Sequence, residues 1–251
     1  MQTDMLALIL ARGGSSRLPR KNVLELGGKP LIAWSIESAL QSRCKPRVLV
    51  STDDQEIAET SMRWAAEVPF LRPTELAQDE TPSMAPILHA LQWLEANEQY
   101  RPDGVMLLQP TSPFRGSLDI DGAVDLMDDR QADAVVSVSP VHQHPTHLKH
   151  VDKAGRLLDA TLNEHLRQQD LSSLYALNGA IYLARRDVLM DQQTWYTDQT
   201  YAYIMSADRS LDIDMGFDFC VAKCMVENDL YEDTTHSTTA HRDRSPLLHH
   251  R

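Results

Sequence analysis

The chain has 251 residues, 42% hydrophobic and 24% charged, the balance of an ordinary globular protein with material for a substantial core. Its formal charge of −12 argues against nucleic acid or an anionic membrane surface as a partner. No apolar run approaches membrane-spanning length, the opening segment lacks a basic region, and three scattered cysteines form neither a disulfide framework nor a zinc pattern, so a reducing cytoplasm is the expected compartment.

In chain order, short β-type runs alternate with helical patterns. Strands are expected at residues 6–10, 47–51, 68–71, 104–109 and 134–138. Between them, 30–41 gathers Ile32, Ile36, Ala39 and Leu40 on one helical face behind Pro30. Residues 54–66 form a second helix capped by Asp53 or Asp54, and 83–98 a third with Ile87, Leu88, Leu91 and Leu94 on one stripe and Ser83 as cap. A fourth helix covers 118–127. This alternation predicts an α/β fold with a mainly parallel sheet covered on both faces. The periodicity fails over 140–174, which reads as an inserted arm. A strand at 178–184 and a helix at 216–228 follow, and 231–251 has the composition of a poorly ordered tail.

Residues 11–22 leave the first strand at its carboxyl end, where ligands bind in open α/β sheets. Gly13 and Gly14 let the backbone turn and offer N–H groups to an anion. Arg12, Arg17, Arg20 and Lys21 crowd into ten positions of an acidic chain, which points to a phosphorylated small molecule. The spacing matches neither G-x-x-x-x-G-K-[ST] nor G-x-G-x-x-G. Near the other end, Asp212 and Asp214 alternate on an extended segment, so both carboxylates face one side. Such a pair suits Mg²⁺ or Mn²⁺, although two exposed acids on an edge strand would show the same pattern. His142, His144, His147 and His150 follow no zinc-ligand spacing.

The 11–22 string resembles the signature loop of the sugar-activating cytidylyltransferases, in particular the CMP-sialic acid synthetases (N-acylneuraminate cytidylyltransferases). Further segments extend the likeness over about the first 228 residues: Ser51-Thr52-Asp53-Asp54, Phe70-Leu71-Arg72-Pro73 with Glu75-Leu76-Ala77, Leu107 to Pro113, Asn178 to Tyr182, and Leu211 to Asp214. The resemblance implies a three-layer, Rossmann-like nucleotidyltransferase fold in a single domain, 1–230, with 140–174 serving dimerisation and the sugar site of a homodimer. It implies transfer of CMP from CTP to the anomeric hydroxyl of a nine-carbon acidic sugar, N-acetylneuraminate or a relative such as legionaminic acid, with Mg²⁺ or Mn²⁺.

Residue by residue, the resemblance gives Arg12 and Lys21 catalytic phosphate contacts and makes Asp212 and Asp214 the catalytic metal ligands. The nucleotide would meet Leu10, Ala11, Arg12, Gly13, Gly14, Ser15, Lys21, Asn22, Arg72 and Ser83, with Arg72 facing cytosine. The sugar would meet Gln109, Thr111, Ser112, His144, Asn178 and Gly179. Two departures stand out: Ser16 replaces a usual lysine, and Ala176-Leu177 replace a frequent Arg-Pro on the sugar side. The alternatives are 3-deoxy-manno-octulosonate cytidylyltransferase, and a relative that binds nucleotide without turnover.

Overall fold

The apolar run Met5–Leu10 forms β1, and its alternating side chains feed two separate cores. Met5, Ala7 and Ile9 pack on one face with Ile32, Ile36 and Ala39 of α1 (Leu31–Leu40) and with Ile120, Ala123 and Met127 of α4 (Ser117–Arg130). Leu6 and Leu8 pack on the other with Ile87, Ala90, Leu91 and Leu94 of α3 (Met84–Glu98). Each fully buried leucine or isoleucine contributes ~1.5–3 kcal/mol, so a strand buried on both faces anchors the sheet. The computed structural model describes residues 3–15, 17–141, 148–159 and 174–232.

Six strands form the sheet in the order β10-β6-β9-β5-β1-β4. Here β4 is Arg47–Ser51, β5 Gly104–Leu107, β6 Ala134–Pro140, β9 Tyr175–Arg185 and β10 Thr200–Ile204. β1 runs parallel to β4 and β5, and β6 parallel to β10, while β9 is antiparallel to both its neighbours. The mostly parallel, three-layer architecture is therefore as expected, with one reversed strand. Val136 pairs with Tyr182 but Val138 with Leu177, so residues 178–181 bulge out opposite Ser137. Gly179 adopts φ +74° within that bulge, in the left-handed region that favours glycine.

Several elements differ from the sequence reading. Residues 67–71 make only isolated parallel bridges, Glu67 to Leu49 and Leu71 to Thr52, because Pro73 and the turn behind it end the extended path early. Within 140–174, a short hairpin, β7 (Lys149–Val151) and β8 (Leu157–Asp159), turns at Gly155, and residues 142–147 and 160–173 lie outside the described residues. The small hairpin β2 (Glu25–Leu26) and β3 (Lys29–Pro30) and the edge strand β10 are additions. Asp54 caps α2 (Gln55–Arg63) by accepting the Ile57 N–H, whereas Ser83 makes no side-chain cap on α3. The expected tail begins too early: Tyr231 packs its ring on Phe114 at 4.6 Å and on Trp34 at 6.0 Å, next to α5 (Gly216–Glu227). Residues 233–251 lie outside the described residues. No helix among the described residues is long and apolar enough to cross a membrane.

Candidate active site

The carboxyl ends of β1 and β5 open into a cleft of about 380 Å³ whose walls come from four distant stretches. Leu10, Arg12, Ser15, Lys21 and Asn22 form one side, Ser83 enters from α3, Leu107, Gln109, Pro110 and Thr111 form the floor, and Asp212 and Asp214 close it. A second cavity of about 240 Å³ shares Leu10 and Arg12 and adds Arg72, Leu76, Thr81 and Pro86. A third, of about 410 Å³, shares Arg12 and Ser15 and adds Gly14 and Asp53. Arg12 thus stands where the three spaces meet.

The loop after β1 is held by its own acids. Gly13 donates its N–H to Asp53 Oδ1 at 3.0 Å, and a Cβ at Gly13 would come within 2.7 Å of Asp54 Oδ2. Glycine is therefore required for close approach to the turn after β4. The Gly13 N–H, expected to face phosphate, is held by the Asp53 carboxylate. Asn22 donates its amide to the Arg12 carbonyl at 3.0 Å, which fixes the loop. Arg20, with φ 57°, binds Asp54 at 2.6 Å and also Glu56, and its guanidinium holds the Asp54 carboxyl below the usual carboxylate range. Arg20 is thus a brace for the turn. Ser16 lies outside the described residues.

The remaining loop cations also face acids. Lys21 Nζ lies 2.9 Å from the Ile213 carbonyl and 3.2 Å from Asp214 Oδ1. Arg17 reaches Asp214 at 3.1 Å, and Arg12 reaches Asp79 at 2.5 Å. Asp212 and Asp214 lie on an irregular extended segment rather than a strand. That segment is pinned by the Ile213 N–H donating to the Thr111 carbonyl at 2.8 Å and by the Asp214 N–H donating to Asp218 at 2.9 Å. Asp212 opens onto the cleft, yet the protein packed around it pushes its carboxyl upward. The Asp214 charge adds to the rise, and Thr111 and Lys21 oppose it.

Among the described residues no three His, Cys, Asp or Glu side chains gather as a metal site. Two carboxylates on one wall of a cleft nevertheless match what Mg²⁺ takes from a protein when waters and substrate phosphates complete its shell. The donor chemistry of Asp212 and Asp214 fits such an ion.

Arg72 is 5% exposed at the second cavity. Its backbone N–H donates to the Thr52 carbonyl at 2.7 Å, its guanidinium lies 3.7 Å from Asp53, and its Nε has no partner among the described residues. Burial lowers its pKa, Asp53 opposes that, and Arg12 adds to it. A buried guanidinium with a donor left over, facing a small cavity, is equipped to read the acceptors of a planar ligand.

On the other side, Gln109 and Thr111 line the cleft, and Gly179 lies against the Gln109 amide, where a Cβ would be 2.7 Å from Oε1. Ser112 is fully buried, and its hydroxyl has no hydrogen-bond partner among the described residues. Asn178 does not line the cleft: its Nδ2 donates to Ser210 Oγ at 2.9 Å and its Oδ1 lies 2.6 Å from the Ser137 hydroxyl. Those bonds give it the work of bracing the β9 bulge, so a direct sugar contact is not its place. Ala11 is buried below the cleft and donates its N–H to the Ser51 carbonyl at 3.1 Å. Ala176 pairs with Ser139 on an exposed ribbon away from the cleft wall. His144 lies outside the described residues. Sequence reasoning missed Asp79, an exposed acid with no periodic signal, and Arg115, whose burial the pattern around it did not announce.

Residues 6–233 match the sequence family described as Cytidylyltransferase. The chain is 36% identical over 225 residues to the CMP-N,N′-diacetyllegionaminic acid synthase of Legionella pneumophila, covering 89% of this chain and 96% of that one. It is 35% identical over 217 residues to an N-acylneuraminate cytidylyltransferase of Streptococcus agalactiae, covering 85% of this chain but 51% of the relative, so it spans about half of that longer protein. The solved CMP:2-keto-3-deoxy-manno-octonic acid synthetase complexed with CTP shares the fold with a TM-score of 0.69 at 19% identity, over 90% of this chain and 100% of that one. Matched along nearly its whole folded length, with a cleft built from the segments that carry the match, the chain belongs to the cytidylyltransferase family.

Proposed function

We propose that the protein transfers CMP from CTP to the anomeric hydroxyl of a nine-carbon acidic sugar, releasing pyrophosphate. The observation that carries this reading is the single cleft that unites Arg12, Lys21, Gln109, Asp212 and Asp214 from separate parts of the chain. The names of the Legionella and Streptococcus relatives support N,N′-diacetyllegionaminate or N-acetylneuraminate as the sugar.

In this reading Arg12 and Lys21 hold the triphosphate with charge-assisted bonds and stabilise the charge that builds on the leaving pyrophosphate. Arg72 donates to O2 and N3 of cytosine in the second cavity, which a uracil ring with its N3–H cannot accept equally. Gln109 and Thr111 orient the sugar so that its hydroxyl lies in line with the α-phosphorus. Asp212 and Asp214 would hold Mg²⁺, which when bound neutralises phosphate charge. Phosphate entry exchanges ion partners: Arg12 leaves Asp79, and Lys21 and Arg17 turn from Asp214, freeing that carboxylate for the cation. The exposed side chains of Val151, Leu157 and Leu158 on the β7–β8 hairpin support a homodimer built through this arm. The sparse cysteines support a cytoplasmic setting.

Pyrophosphate release with CTP, Mg²⁺ and a panel of N-acetylneuraminate, N,N′-diacetyllegionaminate and 3-deoxy-manno-octulosonate tests the reading. Release with one or both nine-carbon sugars is expected. Release with the eight-carbon sugar alone would move the assignment to that branch, and CTP-dependent thermal stabilisation without any release would make the protein a binding module.

A further inference from the structure

Beneath the floor of the cleft lies a cation that the reaction as described leaves unused. Arg115 is 1% exposed and sits between the 107–113 stretch and α4. Its Nη1 donates to the Ala180 carbonyl at 2.8 Å and reaches the Gln109 carbonyl at 3.3 Å, while Nη2 lies 3.4 Å from Ser38 Oγ. The Gln109 carbonyl also accepts the Ser35 hydroxyl at 3.1 Å. Burial brings the Arg115 pKa down to about 10, with the Asp119 charge opposing, so the side chain is protonated at neutral pH.

A buried cation is costly unless it is well partnered, and an apolar residue could fill the same space. The identity of its partners gives the cation a purpose. Gln109 sends its side chain into the cleft, and Ala180 follows Gly179, whose Cα packs on the Gln109 amide. Both carbonyls meet the same Nη1, and the planar guanidinium, with Nη2 beside Ser38 Oγ, fixes the directions of its N–H bonds more firmly than a freely rotating ammonium on a flexible stem would.

We propose that Arg115 is a positioning residue: by binding the backbone carbonyls of Gln109 and Ala180 together, it locks the end of β5 to the β9 bulge and so aims the Gln109 amide at the sugar. This rests on the reading that Gln109 faces the sugar. Arg115 touches neither substrate and acts only through Gln109.

The experiment is steady-state pyrophosphate release on the full chain, varying CTP and the better nine-carbon sugar in turn, for Gln109→Ala, Arg115→Lys, Arg115→Met and the double variant Arg115→Lys/Gln109→Ala. Gln109→Ala and Arg115→Lys should each raise the sugar KM by about tenfold or more, with the CTP KM within about twofold, because small misplacement of a positioning group is enough for such losses. Arg115→Met should be worse than Arg115→Lys, and the double variant no worse than its more impaired parent, since both act through one contact. If Gln109→Ala raises the sugar KM and a folded Arg115→Lys does not, Arg115 has no positioning role and the sugar reading stands. If both KM values rise together in Arg115→Lys, its role is structural and the proposal fails. If Gln109→Ala leaves the sugar KM unchanged, the sugar reading of Gln109 fails and takes the proposal with it. Should the Arg115 variants fail to fold, Ser35→Ala removes the other bond to the Gln109 carbonyl. A sugar KM raised about threefold supports the proposal, as loss of one neutral hydrogen bond would give. An unchanged one overturns it.

Discussion

Lys21 Nζ lies 3.2 Å from the carboxylate of Asp214, 193 residues further along the chain. This contact closes the cleft across the gap between the first loop and the segment before α5. The same lysine donates to the Ile213 carbonyl at 2.9 Å, so its ammonium is already aimed before any substrate arrives. A lysine with a 13% exposed side chain at such a junction is placed for work on an anion.

Lys21→Ala should lower kcat by about 10²–10³-fold, the usual loss when a donor to developing charge is removed. The sugar KM should stay near its wild-type value. Lys21→Arg should not restore turnover, because the planar guanidinium cannot occupy the ammonium's place between the Ile213 carbonyl and the phosphates. Steady-state kinetics in both substrates checks this, and a change confined to the sugar KM would assign Lys21 to the wrong ligand.

Asp212 gives a prediction with opposite signs for activity and stability. Its folded pKa is raised, so ionisation of this carboxyl opposes folding. The penalty is absent below the ordinary value of 3.8 and grows as pH rises from there through the raised folded value. Asp212→Asn should therefore raise Tm at pH 7, with the gain shrinking in acid, while turnover with Mg²⁺ falls by orders of magnitude. Thermal melts across pH together with pyrophosphate assays read both effects. A lower Tm at pH 7 would show that Thr111 and Lys21 stabilise the Asp212 carboxylate more than burial and Asp214 penalise it.

Arg72→Met should raise the CTP KM by about 10–100-fold, the range for losing hydrogen bonds from a charged group. Preference for CTP over UTP should narrow at the same time, with the sugar KM unmoved. Equal use of CTP and UTP by the wild-type protein would remove Arg72 from base recognition.

The β7–β8 hairpin exposes Val151 at 66% and Leu157 at 71%, far more than a free-standing pair of three-residue strands can tolerate without cover. Val151→Glu combined with Leu157→Glu should convert a dimer to a monomer in light scattering while leaving far-UV circular dichroism intact. A wild-type protein that is already monomeric at micromolar concentration would end the dimer reading.

Much of the fold was legible because β1, α1, α3 and α4 carry strong periodicity and lie at the centre of the two cores. The weak points were edges. Residues 67–71 have β-type composition but pair at only two positions, and β10 turns the amphipathic Tyr201 and Tyr203 to the core while the apolar Ile204 is exposed, so hydropathy does not mark its buried face. At the site, charge marked the loop and the two aspartates as separate stretches, and the resemblance to the cytidylyltransferases grouped them. What the sequence could not show was which polar groups satisfy one another. Nothing in the sequence tells that Ser137 and Ser210 take both ends of the Asn178 amide, or that Asp53 accepts the Gly13 N–H. Such pairings depend on three-dimensional neighbours far away in sequence.

Because β9 runs against its neighbours, the chain leaves β6 at Pro140 and re-enters at Tyr175 on the same side of the sheet, with Ser139 facing Ala176 across a two-stranded ribbon. The described residues between those points form the β7–β8 hairpin, a two-stranded sheet separate from the six strands. Because exit and re-entry are paired neighbours, natural variation can lengthen, shorten or rewrite what joins them while the cleft floor keeps its geometry. The length of the excursion is thereby set apart from the packing of the sheet, so a lineage can alter the first with little risk to the second.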